Sequence, residues 1–199
     1  LTIQTSSITL MSLEGTTVDP AYIESTIIDG NHVAPCIRVP QGNAFVSIRG
    51  FSITNGFRSG SGGGLVVSGG NTAVITNCDI YNNTANNGAG VYMASANVTF
   101  SGSRIFNNYS VSFGGGFYSI TAPGSPYSIV FDPDNRSSIF NNRAGSGQDI
   151  YINLANDNLN IYLDTFSVSY PTNYYAVYLG EVLSPKCWCK FQLIVSLVV

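Results

Sequence analysis

The sequence is poor in charged residues and has a single histidine. Only 10% of its 199 residues are Asp, Glu, Lys or Arg, and its formal net charge is −3. Because no stripe of Lys and Arg is present to neutralise phosphates, nucleic acid is not expected as a partner. The single histidine, His32, follows the turn signal Asp29-Gly30-Asn31 and is predicted to be an exposed loop residue. Histidine-based catalytic triads and multi-histidine metal sites are therefore not expected.

Helical periodicity and long apolar runs are also missing. No segment repeats apolar residues at helical spacing over more than two turns. Short runs of β-branched and aromatic residues instead occur along the whole chain, bounded by Gly, Asn, Asp or Pro. The most apolar run, at the C-terminus, is shorter than the ~20 residues that a membrane-spanning helix requires. The chain is therefore predicted to be all-β, with no membrane span.

What the chain does contain is an internal repeat. Four isoleucines are each followed two residues later by an asparagine, and a glycine-rich step into an apolar strand comes next. Successive isoleucines lie 27, 25 and 34 residues apart, and the glycine steps lengthen at the same place. The extra residues fall in the Pro/Gly/Ser stretch 121–128, which is predicted to be an inserted surface loop. The four isoleucines are Ile53, Ile80, Ile105 and Ile139.

The length of the repeat predicts the fold. Three short strands in 25 to 27 residues predict a right-handed parallel β-helix, a solenoid whose equivalent strands stack about 4.8 Å apart. A β-propeller blade would need four antiparallel strands and roughly 40–50 residues. The same frame extends to Ile28, Phe166 and Val177, so six to seven coils are predicted in a single domain covering residues 1–199. Because the chain starts without Met, it is predicted to be a processed or truncated piece.

Two columns of repeated residues are predicted to be structural. The asparagines should superimpose at a corner of successive coils, where Asn tolerates left-handed backbone and can bond its amide to the Asn above and below. A polar ligand-binding row is the alternative. The glycines that precede each second strand are predicted to be tight corners with positive φ. The asparagines are Asn55, Asn82, Asn107 and Asn141, and the glycines are Gly64, Gly90 and Gly116.

Two runs of the sequence, 47–56 and 77–83, carry a family resemblance. Each pairs an isoleucine with a following Asn, and glycine–glycine–aliphatic steps come after them. They resemble the pectin-lyase-like superfamily of right-handed parallel β-helix repeats, and are most similar to repeats of the polymorphic outer-membrane-protein type. The resemblance covers residues from about 20 to about 180. It implies a β-helix but no single activity, because that superfamily includes enzymes, adhesins and structural proteins.

A carbohydrate-active site has little support in the sequence. A polysaccharide lyase needs clustered carboxylates for Ca²⁺ and a base, and a glycoside hydrolase needs two or three neighbouring carboxylates. The best cluster is Asp132, Asp134 and Arg136, beside the inserted loop. The preceding repeat has Gly102 and Ser103 in the equivalent place, so the cluster is predicted to be an Asp-Pro-Asp-Asn turn with a solvated Arg. No metal or other cofactor is predicted.

Cysteines and glycosylation sequons lead to two further expectations. Cys36 and Cys78 fall in different phases of the repeat and are predicted to be buried thiols. The pair Cys187 and Cys189 lacks the two further soft ligands that a metal site would need. Several Asn-x-Ser/Thr sequons are consistent with a secreted chain. The candidates for N-glycosylation are Asn97, Asn108 and Asn135, whereas Asn82 lies in the proposed interior column and is expected to be unmodified.

These observations predict a non-enzymatic protein: a rigid extracellular or cell-surface β-helix that acts as a structural element or adhesin, contacting carbohydrate or protein through a sheet face. The alternative is a polysaccharide lyase or glycoside hydrolase on the same scaffold. The apolar run from Phe191 to Val199 is open to three interpretations: a last strand, the start of an anchor, or an intermolecular contact. Because an uncapped β-helix end templates further stacking, head-to-tail filaments through this run are a hypothesis. A local function is expected at the insertion 121–128 or at the two ends.

Overall fold

The computed structural model describes residues 1–4, 7–17, 19–122, 127–153, 159–166, 177–179 and 191–195. In these residues the chain winds into a solenoid whose strands pair in parallel with the equivalent strands of neighbouring coils. Four sheets run along the molecule, and they are numbered here in the order in which a coil passes through them. The predicted all-β parallel solenoid is therefore confirmed.

The strands are grouped by sheet, in chain order within each. The first sheet contains β1 (Ser7–Met11), β4 (Phe45–Arg49), β8 (Thr72–Thr76), β12 (Asn97–Ser101) and β16 (Ser128–Phe131). The second sheet contains β2 (Ile27–Asp29), β5 (Ser52–Thr54), β9 (Asp79–Tyr81), β13 (Arg104–Phe106), β17 (Ser137–Phe140), β19 (Leu159–Phe166) and β21 (Phe191–Val195). The third sheet contains β6 (Phe57–Ser61), β10 (Thr84–Asn87) and β14 (Tyr109–Phe113). The fourth sheet contains β3 (Ile37–Val39), β7 (Leu65–Ser68), β11 (Val91–Ala94), β15 (Phe117–Ile120), β18 (Ile150–Asn153) and β20 (Val177–Leu179).

Three of the coils have four strands rather than the three predicted, because β6, β10 and β14 form a short sheet of their own. Phe57–Ser61 and Thr84–Asn87 are rich in Ser, Asn and Gly and carry no apolar pattern that would indicate a strand, whereas Tyr109–Phe113 alternates apolar and polar residues. They are extended because their backbone groups pair between coils. The N–H of Thr84 donates to the carbonyl of Gly56 (2.8 Å), and the N–H of Tyr109 donates to that of Asn83 (2.9 Å).

The solenoid has about five coils, so the predicted number of six to seven is wrong. The coils run from β1, β2 and β3 to β16, β17 and β18. Beyond β18, the described strands β19, β20 and β21 extend only the second and fourth sheets. The prediction counted every stretch that kept the spacing of the repeat as a full coil. A full coil requires strands in the first, second and fourth sheets together, and the residues beyond β18 do not supply all three in the part of the chain that the structure describes.

The interior is filled by columns of like residues stacked from coil to coil. The repeated isoleucines are fully buried and lie in register with one another. A second column, Leu65, Val91, Phe117 and Ile150, lines the inner side of the fourth sheet and is also fully buried. Each such side chain contributes about 1.5–3 kcal/mol when it is removed from water. One continuous cluster of buried apolar side chains results, extending from Ile3 to Leu163.

Two short helices, α1 (Glu14–Thr17) and α2 (Ala21–Ser25), connect β1 to β2. Glu14 ties them to later coils: its carboxylate accepts hydrogen bonds from Nε of Arg49 (3.1 Å) and Nδ2 of Asn77 (2.8 Å). Because Glu14 is only 2% exposed, these two partners compensate for the loss of water around its charge. The helices therefore lie against the second and third coils, to which Glu14 anchors them.

The inserted loop connects β15 to β16 at the corner between the fourth and first sheets. Residues 123–126 lie outside the described residues. On the flanks, Thr121 is buried and Tyr127 packs against the core cluster. The first three coils turn the same corner with short segments at 40–44, 69–71 and 95–96.

Candidate binding surface

A row of side-chain amides runs through the interior at the corner between the second and third sheets. The N–H and Nδ2 of Asn83 both donate to Oδ1 of Asn108 (3.0 Å each). Asn108 repeats these bonds to Asn142 (3.0 and 2.9 Å), and Asn142 repeats them to a carboxylate oxygen of Asp149 (3.1 and 2.9 Å). All four side chains are buried. We call this row the inner ladder; its buried polar groups are engaged with one another and with the backbone.

The predicted asparagine column lies one residue before the inner ladder. Its members have left-handed backbone, with φ between 54° and 56°, which is the conformation expected at the corner. They point outward and do not form the amide-to-amide ladder: Asn55 donates to Asp29 (3.2 Å). We call Asn55, Asn82, Asn107 and Asn141 the bend column. The doublets Asn82-Asn83, Asn107-Asn108 and Asn141-Asn142 are the sequence signal that could have separated the two rows.

Gly64, Gly90 and Gly116 are required for close packing rather than for backbone conformation. Positive φ occurs two residues earlier in each step, at Gly62, Gly88 and Gly114. A Cβ atom on Gly90 would lie 2.5 Å from the carbonyl oxygen of Gly116 and 3.0 Å from Nδ2 of Asn108. The chain therefore uses glycine here because the next coil and the inner ladder occupy the space of a side chain.

The two described cysteines are buried thiols, as their position in the repeat predicts. Sγ of Cys36 donates to the carbonyl of Thr54 (3.1 Å) and lies 3.7 Å from Oδ1 of Asn83. It lies in the first coil at the end of the inner ladder, next to Gly56, which stands in place of an asparagine in the second coil. Burial raises the pKa of Cys36 to about 11 and that of Cys78 to about 12, so both are protonated at neutral pH. Cys187 and Cys189 lie outside the described residues.

The acidic cluster beside the insertion forms a turn. Asp132 accepts hydrogen bonds from the Ser101 hydroxyl (2.8 Å) and from the backbone N–H groups two and three residues on (3.0 and 3.2 Å). The bond from Ser101, and then the two backbone bonds, hold the pKa of Asp132 below its usual value. Asp134 is exposed, and Arg136 donates to the carbonyl of Pro133 (3.3 Å). In the described part of the chain, no three His, Cys, Asp or Glu residues converge as metal ligands.

The sequon asparagines lie in different environments from those expected. Asn108, a predicted glycosylation candidate, is 1% exposed and belongs to the inner ladder. Asn82, which was expected in the interior, is exposed on the bend column. Asn97 is half-buried and Asn135 is exposed. Because the two asparagine rows are offset by one residue, side chains of the bend column face outward and those of the inner ladder face inward.

An open cleft of about 590 Å³ lies at the corner that also carries the insertion. It is lined by small and amide side chains of three successive turns, 41–43, 68–70 and 94–95, with no charged residue among them. The backbone N–H of Ala122 donates to Oγ of Ser95 (3.2 Å), so the flank of the insertion stacks directly on the last of these turns. The lining of the cleft is therefore uncharged.

The outer side of the third and fourth sheets has a different composition. Tyr92, Tyr118 and Tyr151 lie in register on successive strands of the fourth sheet, and their ring centroids are 5.7 and 5.4 Å apart. Phe113 covers the last two, with its centroid 6.1 Å from that of Tyr118 and 4.6 Å from that of Tyr151. Tyr109 continues the aromatic surface onto the third sheet, where it is exposed.

Three arginines lie on the same side of the solenoid as these rings. The guanidinium carbon of Arg143 lies 6.0 Å from the centroid of Tyr109. Arg58 donates to the carbonyl of Ser61 (3.0 Å) and lies close enough to Tyr92 to interact with its phenol electrostatically. Arg38 is exposed on β3, at the far end of the fourth sheet. We call this surface the arginine–aromatic face; its members are Arg38, Phe57, Arg58, Tyr92, Tyr109, Phe113, Tyr118, Arg143 and Tyr151.

The charge of this face is not balanced by nearby acids. The strands of the third and fourth sheets contain no Asp or Glu. In the described part of the chain, Arg38, Arg58 and Arg143 form no ion pair, whereas Arg49 pairs with Glu14 and Arg104 pairs with Asp79. Asp149, the nearest acid to Arg143 in sequence, is fully buried at the end of the inner ladder. A face with unpaired positive charge therefore exists on a protein whose net charge is −3.

Burial affects two phenols of this face. It raises the pKa of Tyr92 and of Tyr118, the latter with smaller contributions from the phenols of Tyr92 and Tyr151. Neutral phenols can donate hydrogen bonds as well as accept them. The arginine–aromatic face therefore offers a ligand both fixed positive charge and hydroxyl groups.

The register of the sheets explains why this face was missed. Arg38, Tyr92 and Arg143 come from different coils and lie far apart in the sequence, and only strand pairing brings them to one side. A tyrosine at the second position of three successive glycine-step strands was the available signal.

The structure describes only part of the segment predicted to mediate self-association, Phe191 to Val199. Its strand β21 pairs with β19, and residues 196–199 lie outside the described residues. The described part contains no helix long and apolar enough to cross a membrane.

These features define a parallel β-solenoid with a charged aromatic side. A family model described as a right-handed β-helix region matches residues 35–167. Because the match covers well over half of the chain, the protein belongs to this family. Comparison with curated proteins and with solved structures found no significant match. The finer resemblance to repeats of the polymorphic outer-membrane-protein type stays a prediction.

Proposed function

We propose that this protein is a non-enzymatic β-helix of the extracellular space or cell surface, and that it adheres to an anionic carbohydrate through the arginine–aromatic face. The observation that carries the proposal is the set of three arginines without carboxylate partners, placed along one row of rings in an acidic protein. Low overall charge and abundant Ser, Thr, Asn and Tyr support the extracellular location.

The charges suit a long ligand. Four strand steps separate β3, which carries Arg38, from β18, which is level with Arg143; at about 4.8 Å per step the row is about 19 Å long. A guanidinium binds a carboxylate or sulfate with two parallel hydrogen bonds, which gives both orientation and affinity. A polymer with acidic groups at intervals can contact all three arginines at once.

The aromatic rings of this face are placed to contact the edge of a sugar ring rather than its flat side. Tyr92, Tyr118 and Phe113 stack on one another, so their faces are largely covered, and Tyr118 itself is only 8% exposed. Tyr and Arg are also the residues that contribute most to binding energy at protein interfaces. The phenol groups and the exposed amide of Asn86 can bond the hydroxyl groups of a sugar.

Binding to immobilised polyuronate, to a sulfated glycan and to an uncharged glucan tests the proposal. We expect binding to the two charged polymers, with a salt dependence of slope about −2, because three contacts each release roughly 0.7 counterion. Replacing Arg38, Arg58 and Arg143 together by Ala should weaken binding about ten-fold or more, since a hydrogen bond to a charged group contributes about 1.5–3 kcal/mol.

Arg136→Ala is the matched control, because Arg136 lies outside the face and bonds only its own turn. It should leave the affinity within about two-fold of wild type, well under the 1.4 kcal/mol that a ten-fold change represents. Equal binding by the triple variant and the wild type would refute the proposed face. Release of unsaturated or reducing-end product that disappears in Asp132→Ala would instead establish the enzymatic alternative.

A further inference from the structure

The four N-glycosylation sequons of this chain differ in how far the amide nitrogen of the asparagine is available for an oligosaccharide. Nδ2 of Asn108 donates to Oδ1 of Asn142 and to the carbonyls of Ile80 and Phe106, at 2.9 to 3.1 Å, inside the solenoid. An oligosaccharide on that nitrogen would have no room and would remove donors from the inner ladder. Asn108 is therefore incompatible with modification in the folded protein.

Two other sequon amides are exposed to different degrees but are engaged. Nδ2 of Asn97 donates to the hydroxyl of Thr72 (3.3 Å). Nδ2 of Asn135 donates to Oγ of Ser101 (3.0 Å) and to Oδ1 of Asn77 (3.3 Å). A glycan on either nitrogen would disturb bonds between neighbouring coils.

Asn82 differs from all three. Its left-handed backbone (φ 55°) turns the side chain outward at the corner between the second and third sheets. The side chain is exposed and makes no hydrogen bond to any residue that the structure describes. Thr84, which completes the sequon, is half-buried at the start of β10. The other members of the bend column share this geometry but lack a Ser or Thr two residues on.

We propose that Asn82 is an acceptor of N-linked oligosaccharide. The donor class is a lipid-linked sugar pyrophosphate. The Asn82 amide nitrogen forms a bond to C1 of the sugar, the C1–phosphate bond breaks, and the lipid pyrophosphate leaves with the electron pair. The amide proton passes to a base of the transferase. The inference depends on the extracellular location proposed above, and a glycan at this corner leaves the inner ladder intact.

The experiment places the chain behind a cleavable signal peptide in a eukaryotic secretory host. All chain recovered from the lumen, secreted or retained, is digested and mapped by mass spectrometry, with and without peptide N-glycosidase, which converts a glycosylated Asn to Asp. We expect a glycan on the Asn82 peptide and none on the Asn108 peptide of the secreted protein. Asn82→Gln and Thr84→Ala should each remove one glycan, and Thr84→Ser should keep it.

Asn107→Gln is the matched control, since Asn107 occupies the same exposed bend without a sequon; it should leave the glycan pattern unchanged. An unmodified Asn82 in wild-type chain from the lumen would overturn the proposal, as would a glycan on Asn108 in folded, secreted protein. Binding to anionic glycans is measured on bacterially produced protein, which carries no such modification. Failure of the proposed adhesion and failure of the proposed modification are thus separate results.

Discussion

The inner ladder and the bend column are built from the same residue at adjacent positions, and their environments are opposite. Asn83, Asn108 and Asn142 are buried; Asn83 and Asn108 each donate to the amide of the next coil, and Asn142 donates to Asp149 of its own coil. Asn82 and Asn107, one residue earlier, are exposed at the surface of the solenoid. The left-handed residue reverses the direction of the chain, so its side chain points out and the next one points in.

The spacing of a sequence repeat alone therefore does not identify which asparagine of a repeated doublet supports the fold. A buried amide whose partner is removed leaves donors and acceptors without water, and that loss is expensive. An exposed amide at the bend exchanges its partners for water at little cost. The inner ladder should therefore determine stability, whereas the bend column should be open to substitution and modification.

The largest expected effect separates the two rows directly. Asn108→Ala removes the Oδ1 atom that accepts from the N–H and Nδ2 of Asn83 and leaves that buried N–H without its acceptor, so we expect the free energy of unfolding to fall by about 3 kcal/mol. Asn107→Ala should cost only about 1 kcal/mol, from the left-handed backbone. Urea denaturation of both variants measures the difference. Equal losses would show that the inner row has no special role.

A second substitution tests the close approach to the ladder. Gly90→Ala places a methyl group 2.5 Å from the carbonyl oxygen of Gly116, and we expect a loss of about 1–3 kcal/mol from overpacking. Gly60→Ala is the control, because the nearest atom to its Cβ would be Nε of Arg58 at 3.7 Å. It should leave the unfolding free energy unchanged or slightly raised, since alanine restricts the unfolded chain. A loss at Gly60 equal to that at Gly90 would contradict the packing argument.

The smallest effect concerns pH and the thiol that completes the ladder. Burial raises the pKa of Cys36 from 9.0 to about 11 and that of Cys78 from 9.0 to about 12. The folded state therefore holds these protons longer than the unfolded state, and stability is full below pH 9 and falls as pH rises towards 11 and 12. At pH 10 we expect a loss of about 1 kcal/mol for each thiol.

Thermal unfolding between pH 8 and pH 10.5 measures this fall, with Cys36→Ala and Cys78→Ala as comparison variants. Each variant should have a flatter dependence on pH than the wild type, whatever its stability at neutral pH. A wild-type curve no steeper than that of the double variant would show that the thiols are not responsible.

Much of the fold follows from the spacing of the isoleucines. A column of apolar residues at 25 to 27 residues can be buried only by stacking equivalent strands, and Ile53, Ile80 and Ile105 indeed stack in register. Two strands of the third sheet, Phe57–Ser61 and Thr84–Asn87, carry no apolar pattern and depend on bonds to other coils, so their sequences do not predict them. The number of coils was overestimated because spacing does not test closure.

The candidate surface was less predictable than the fold. The turn at Asp132 could be inferred because its capping bonds are local, and the structure places it as a turn. The arginine–aromatic face could not be inferred in this way, because Arg38 and Arg143 are about a hundred residues apart in the sequence. Only the register of the strands brings them to one side of the solenoid. The role of Gly90 is likewise set by Asn108 of the next coil, which no local pattern reveals.

The inner ladder has a direction, and Asp149 gives it a last rung. An amide passes the chain of hydrogen bonds onward because it has both an acceptor and a donor, whereas a carboxylate accepts from Asn142 and has no NH₂ group with which to continue. The row of hydrogen bonds in the inner ladder therefore ends at Asp149. Coils could be duplicated before Asp149 without changing any bond type, so the length of this solenoid can grow by inserting units in its middle while its terminal rung stays the same.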